Sequence, residues 1–176
     1  IKLNVPIQIN DYSIKAIPAN HIAGSCGFVI TKNNQSFIIS GDTYLNPTIH
    51  EEINNDKTIK SLIIECSFPD KLNELAKTTK HLTPTLISNI LQNIQRKDIS
   101  VFFYHLKPSY KKELLQDIKK NKLLNYKGKV LNEGDVIHIN TGNIENNLLT
   151  EDKLEEIMKI NLALTSQHNK DKLLED

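Results

Sequence analysis

Three of the six histidines in this chain fall where chemistry can be done. His21, His81 and His105 each sit in a loop beside an expected strand end or helix start, where α/β folds keep their sites. Two carboxylates stand in comparable places. The run Phe37-Ile38-Ile39 stops abruptly at Ser40-Gly41-Asp42-Thr43, which reads as a buried strand delivering Asp42 into a loop, with Gly41 allowing the turn. Leu62-Ile63-Ile64 ends in Glu65 in the same way, and Val101-Phe102-Phe103-Tyr104 ends in His105. Asp42 alone reads as a turn-former, an N-cap for a helix beginning near Pro47, or a ligand. Glu65 reads as a backbone hydrogen-bond acceptor or as the partner of a histidine. Together, three imidazoles and two carboxylates at such positions point to metal binding or acid–base catalysis. His50 and His168 lie in polar surroundings and read as solvated, while His138 alternates within a strand and reads as structural.

The elements that must position these residues can be followed along the chain. Tyr12 to Ile17 alternates apolar and polar, as a half-buried strand does. Cys26–Thr31 and Ser36–Ser40 read as a hairpin closed by the polar turn Lys32-Asn33-Asn34-Gln35. Pro47 to Ile53 suits a short helix, and the unbroken apolar run Ser61 to Cys66 suits a strand covered on both faces. Asp70 to Lys77 is expected to be helical with Leu72 and Leu75 inward. Thr83 caps the next helix, Pro84 takes its first position, and Leu86, Ile90, Leu91 and Ile94 form its stripe. Ser100 to Tyr104 is another buried strand. Pro108 opens a helix with Leu114, Leu115 and Ile118 inward, and Glu133-Gly134-Asp135 turns into a final short strand. Strands first, then strands alternating with helices, predict a mixed α/β sandwich.

The composition, 39% hydrophobic and 24% charged, suits one globular domain with a real core and an appendage. A net charge of +1 offers no electrostatic case for nucleic acid or an anionic membrane, and no apolar run of 18 residues exists to span one. Cys26 and Cys66 read as small buried hydrophobes in a reducing, cytoplasmic compartment. The chain starts at Ile1 in mid-pattern and is expected to be a piece of a longer protein, which leaves any signal peptide outside view. Residues 1–140 form the expected domain, 141–149 a polar linker, and 150–176 a helix. In that helix Leu154, Ile157, Asn161 and Leu164 fall at coiled-coil spacing, widened by Met158 and Leu162. An ordinary packed helix and one pairing two copies into a homodimer both fit.

Five short motifs carry a resemblance. They are His21-Ile-Ala-Gly-Ser25-Cys-Gly-Phe28, Ser40-Gly-Asp-Thr43, Ile64-Glu-Cys-Ser-Phe68, His81-Leu-Thr-Pro84 and Tyr104-His-Leu-Lys-Pro108. In this order they resemble the second half of class II cyclic-nucleotide phosphodiesterases, which belong to the metallo-β-lactamase superfamily. The resemblance covers residues 12 to 140. It implies an α/β fold, the C-terminal half of a metallo-β-lactamase-like αββα sandwich, here with a C-terminal helix added. It implies hydrolysis of 3′,5′-cyclic nucleotides, cyclic AMP foremost, to 5′-nucleotides with two divalent ions, zinc first and manganese or magnesium as alternatives. By the same likeness His21 and His105 are metal ligands, and Asp42 bridges the two metals. His81 is the acid for the leaving group, with Glu65 orienting its ring, and Ser25, Thr43 and Lys107 contact substrate. Leu162-Ala-Leu-Thr-Ser-Gln-His168 and Asp171-Lys-Leu-Leu-Glu175 resemble a linker into a GAF sensor domain.

One departure matters. The family's upstream His-x-His-x-Asp-His motif does not occur in these 176 residues. In the family's arrangement each metal would then keep one histidine and the shared Asp42, so this chain alone is expected to bind metal poorly and hydrolyse little. Two other readings compete: a transfer-RNA 3′-processing metallo-nuclease, which would want a basic RNA-binding surface, and a catalytically dead module that relays a signal through its C-terminal helix.

Overall fold

A computed structural model describes residues 2–138 and 143–146 of the chain; the expected helix over 150–176 lies outside them. Four strands come first: β1 (Pro6–Ile9), β2 (Tyr12–Pro18), β3 (Cys26–Lys32) and β4 (Gln35–Ile39). Each pairs antiparallel with the next. Asn33 and Asn34 both take positive φ, 50° and 59°, and so close β3 onto β4 with the two-residue turn whose twist suits a hairpin. That is the turn the polar stretch predicts.

From β4 onward the pairing becomes parallel, through β5 (Ile59–Glu65), β6 (Ser100–Tyr104) and β7 (Lys129–Val130), giving seven strands in sequence order. Parallel neighbours need crossovers, and helices supply them. Helix α1 (Pro47–Asn55) links β4 to β5, α2 (Asn73–Thr79) and α3 (Pro84–Gln92) link β5 to β6, and α4 (Lys111–Lys120) links β6 to β7. Asn46 caps α1 through the N–H of Thr48, and Thr83 caps α3 through the N–H of Leu86, with proline next in both. A separate two-stranded sheet joins β8 (Asp135–His138) to β9 (Asn143–Asn146).

The register puts Ile17, Val29, Ile38, Leu62, Ile64, Val101 and Phe103 on one sheet face, where they share a core with the helices. Ile49 and Ile53 come from α1, Ile87, Ile90 and Leu91 from α3, and Leu114 and Ile118 from α4. The other face carries Phe28, Ile30, Phe37, Ile39 and Ile63, half-buried, beside the fully buried Ala16 and Phe102. Among the described residues no helix is long and apolar enough to cross a membrane.

Four differences from the sequence reading have physical causes. Leu75 is exposed because a 3-10 turn over Asp70–Leu72 shifts the phase of α2, so that Ala76 faces in. Leu115 is exposed because Leu114 and Ile118 already define the i, i+4 stripe of α4, and Leu115 lies about 80° from its centre. The edge strand β1 carries its proline at the first position, where no ladder bond is lost. The two-residue β7 depends on Gly128, since a Cβ there would collide with the Val101 carbonyl oxygen.

These assignments predict a contrast. Phe103→Ala should cost about 3–5 kcal/mol in urea unfolding, while Leu115→Ala should stay within about 0.5 kcal/mol. Similar losses for the two would refute the assigned faces.

Candidate functional site

Because β4, β5 and β6 run parallel side by side, their C-terminal ends meet at one sheet edge, the place where open α/β sheets keep their sites. Asp42, Glu65 and His105 stand at those ends. Asp42 is presented by a turn that only glycine makes. Gly41 has φ +62°, and a Cβ on it would sit 2.6 Å from the Cys26 carbonyl oxygen. His105 also takes a left-handed conformation, with φ +61°, a costly choice for a residue with a ring and one that clusters at functional positions. Its Nδ1 lies 3.0 Å from Asp42 Oδ1.

Glu65 is wholly buried and accepts four hydrogen bonds. Oε1 takes the Thr43 N–H at 2.8 Å and the His81 Nδ1–H at 2.8 Å. Oε2 takes the Ser67 hydroxyl at 2.6 Å and the Leu82 N–H at 3.2 Å. Its own N–H donates to Ser40 Oγ at 3.1 Å. Every acceptor site is spent on the protein, so Glu65 is a poor candidate for holding a metal.

His21 comes from the loop between β2 and β3, and Lys80 fastens it. Lys80 caps the C-terminus of α2 in a left-handed conformation with φ 56°. Its carbonyl accepts from His21 Nδ1 at 3.0 Å, and its Nζ donates to the His21 carbonyl at 2.7 Å. The three rings then gather: His21 and His81 lie 4.9 Å apart between centroids, His81 and His105 5.4 Å. One donor atom each from His21, Asp42 and His81 falls within 4.8 Å of the others, the scale of a metal's ligand shell; Glu65, His81 and His105 form a second such group. Imidazole and carboxylate together suit a divalent transition metal.

The expected metal ligands His21, Asp42 and His105 and the expected acid pair His81 and Glu65 therefore lie together. The expected substrate contacts divide. Lys107 Nζ sits 5.6 Å from the Phe68 ring centre, and that ring packs 5.7 Å from His81, so Lys107 reaches the cluster only through Phe68. Ser25 is half-buried in an open groove with Pro18, Ala19, Ile22, Gly24 and Cys26. Thr43 corrects its expectation: it is fully buried, its hydroxyl accepts the Asn20 N–H and donates to the Tyr44 carbonyl, and it cannot touch a substrate. Sequence reasoning gave no role to Ser67, which touches Glu65 and both neighbouring histidines. Its spacing of two from Glu65 was the available signal. Burial pushes the Cys66 thiol well up, and the Glu65 charge adds to this, so the thiol is inert. Burial likewise raises the Tyr104 phenol to about 12, with Asp42 and Glu65 adding and a Ser40 hydrogen bond opposing.

Removing the carboxylate should expose how much rests on it. Glu65→Ala removes the carboxylate that four buried donors share and should cost at least about 3 kcal/mol in urea unfolding. A loss under about 1 kcal/mol would show that the loops hold their places without it.

No protein-family model and no curated protein matches the chain. Solved structures do. The metallo-β-lactamase fold protein YhfI from Bacillus subtilis matches with a TM-score of 0.59 at 15% identity, over 74% of this chain and 50% of its own. Igni18, a metallo hydrolase from the archaeon Ignicoccus hospitalis, matches at 0.54 and 13% identity, over 82% of this chain and 58% of its own. CmlA, a diiron β-hydroxylase from Streptomyces venezuelae, matches at 0.53 and 11%, over 73% and 31%. The chain thus spans about half the length of YhfI. Its seven-stranded sheet with crossover helices is part of a metallo-β-lactamase-like fold.

Proposed function

We propose that this chain is part of a metal-dependent hydrolase that cleaves phosphodiesters, with 3′,5′-cyclic nucleotides as the substrate class. The observation that carries the reading is the meeting of His21, His81 and His105 with Asp42 and Glu65 at one sheet edge. The five motifs that resemble cyclic-nucleotide phosphodiesterases support the choice of substrate. A net charge of +1 gives no support to an RNA substrate.

The residues present fit divalent cations. The Nδ1 atoms of all three histidines are engaged with oxygen acceptors, which leaves their Nε2 atoms for ligation, and Asp42 is a half-exposed carboxylate. Asp42, His21 and His105 would hold the metal. Such ions supply charge stabilisation on phosphoryl oxygens and a more acidic water.

The chain's own groups do the rest. Glu65 fixes the His81 ring by accepting from Nδ1 at 2.8 Å, and it steadies the positive charge created when Nε2 also holds a proton. Nε2 is then the atom that protonates the departing ribose oxygen. Lys107, held against the Phe68 ring that packs on His81, offers its charge to the phosphate of the substrate.

The test is carried out in the full-length gene product with cyclic AMP. Asp42→Ala should abolish hydrolysis and lower bound metal, because it removes the carboxylate that would hold the metal. His81→Ala should lower kcat by about 10²–10⁴-fold with metal content intact, as loss of a general acid does. Equal metal loss in both variants would overturn the separate roles, and unchanged turnover in both would overturn the reading.

A further inference from the structure

Ser67 is fully buried, and its single hydroxyl lies within hydrogen-bond distance of three ionisable groups. Oγ is 2.6 Å from Glu65 Oε2, 3.2 Å from His105 Nδ1 and 3.3 Å from His81 Nδ1. A serine has one proton to give and two lone pairs to accept with. The 2.6 Å contact has the length of a hydroxyl donating to a carboxylate, so the proton points at Glu65. Toward both imidazoles Ser67 can then only accept.

This fixes proton positions on the rings. His105 Nδ1 faces two acceptors, Ser67 Oγ and Asp42 Oδ1, and therefore carries its hydrogen. His81 Nδ1 faces Glu65 Oε1 and Ser67 Oγ and carries one as well. The two acceptors of His105 differ in kind. The Asp42 side chain is 39% exposed, and water competes for a hydrogen bond so open to solvent. Ser67 is the buried one, and it is locked to a carboxylate that is itself locked by three other donors. The left-handed backbone of His105 needs such an anchor to persist.

We propose that Ser67 is a positioning residue: it extends the Glu65 carboxylate to His105, so that one buried acid holds both imidazoles with Nδ1 protonated and Nε2 free. This role belongs to the chain itself and does not depend on the hydrolase reading. What it adds to that reading is a reason why His105 stays oriented when Asp42 turns to another partner.

The experiment is long-range ¹H–¹⁵N correlation NMR on the chain labelled in histidine, without added metal, with amide spectra confirming the fold of each variant. In Asp42→Ala, where Ser67 is the remaining acceptor, His105 should keep the single Nδ1–H tautomer of the wild type. In Asp42→Ala combined with Ser67→Ala, His105 should relax to a mixture of tautomers, while His81 keeps Nδ1–H through Glu65. A tautomer mixture at His105 already in Asp42→Ala would overturn the proposal, as would a single Nδ1–H form surviving in the double variant. Should the double variant not fold, Asp42→Ala decides alone, because substitution of the half-exposed Asp42 leaves the buried network intact.

Discussion

A carboxylate at the end of a buried strand has no water to solvate it, and an unpaired charge there costs several kcal/mol. Glu65 meets this demand with donors drawn from three different connections: Thr43 after β4, Ser67 after β5, and His81 with Leu82 between α2 and α3. The same four bonds that satisfy the charge thereby hold the loops that carry Asp42 and His81. Its own N–H, bonded to Ser40, ties the strand end back to the Asp42 turn. Stability and site geometry are one requirement at this residue, and neither can be altered without the other.

What Glu65 gathers, the sheet first makes adjacent. The change from antiparallel to parallel pairing at β4 brings three strand C-termini to one edge. Close packing there leaves no room for side chains at two positions. A Cβ on Gly27 would come within 2.7 Å of the Ser40 carbonyl oxygen, and one on Gly41 would meet the Cys26 carbonyl. His21 enters from the antiparallel side, and Lys80 binds it at both ends of one residue, by carbonyl and by ammonium. A helix cap that is also a clamp explains why Lys80 tolerates its left-handed backbone.

The sequence made the frame legible where local chemistry and tertiary context agree. Ser-Gly-Asp after an apolar run announced the Asp42 turn, Asn33-Asn34 announced the hairpin, and Thr83-Pro84 announced α3. It failed where a neighbour decides. Leu75 and Leu115 look like core by hydrophobicity and are turned out by the phase of their helices. Thr43 is expected to contact substrate, yet the strand end pulls it inward to serve Asn20 and Glu65. Ser67 offered only its place in the Ile64–Phe68 motif, two residues past Glu65. Its meaning lies in the three groups around it, two of them 14 and 38 residues away.

The cluster has an inner and an outer shell, and they differ in chemistry. Glu65, Ser67 and His81 are buried and satisfied by one another, whereas His21, Asp42 and His105 are half-exposed and reach outward. His81 stands between the shells, bonded inward through Nδ1, with only Nε2 left for any reaction. That one atom can complete a ligand set with His21 and Asp42, or it can deliver a proton, but it cannot do both at once. Ligands from elsewhere would satisfy a cation at Asp42 and release His81 for proton transfer. Without them the same imidazole would be needed as a ligand and could not serve as an acid. An acid–base histidine in this arrangement therefore requires metal ligands beyond the five residues that this chain brings together.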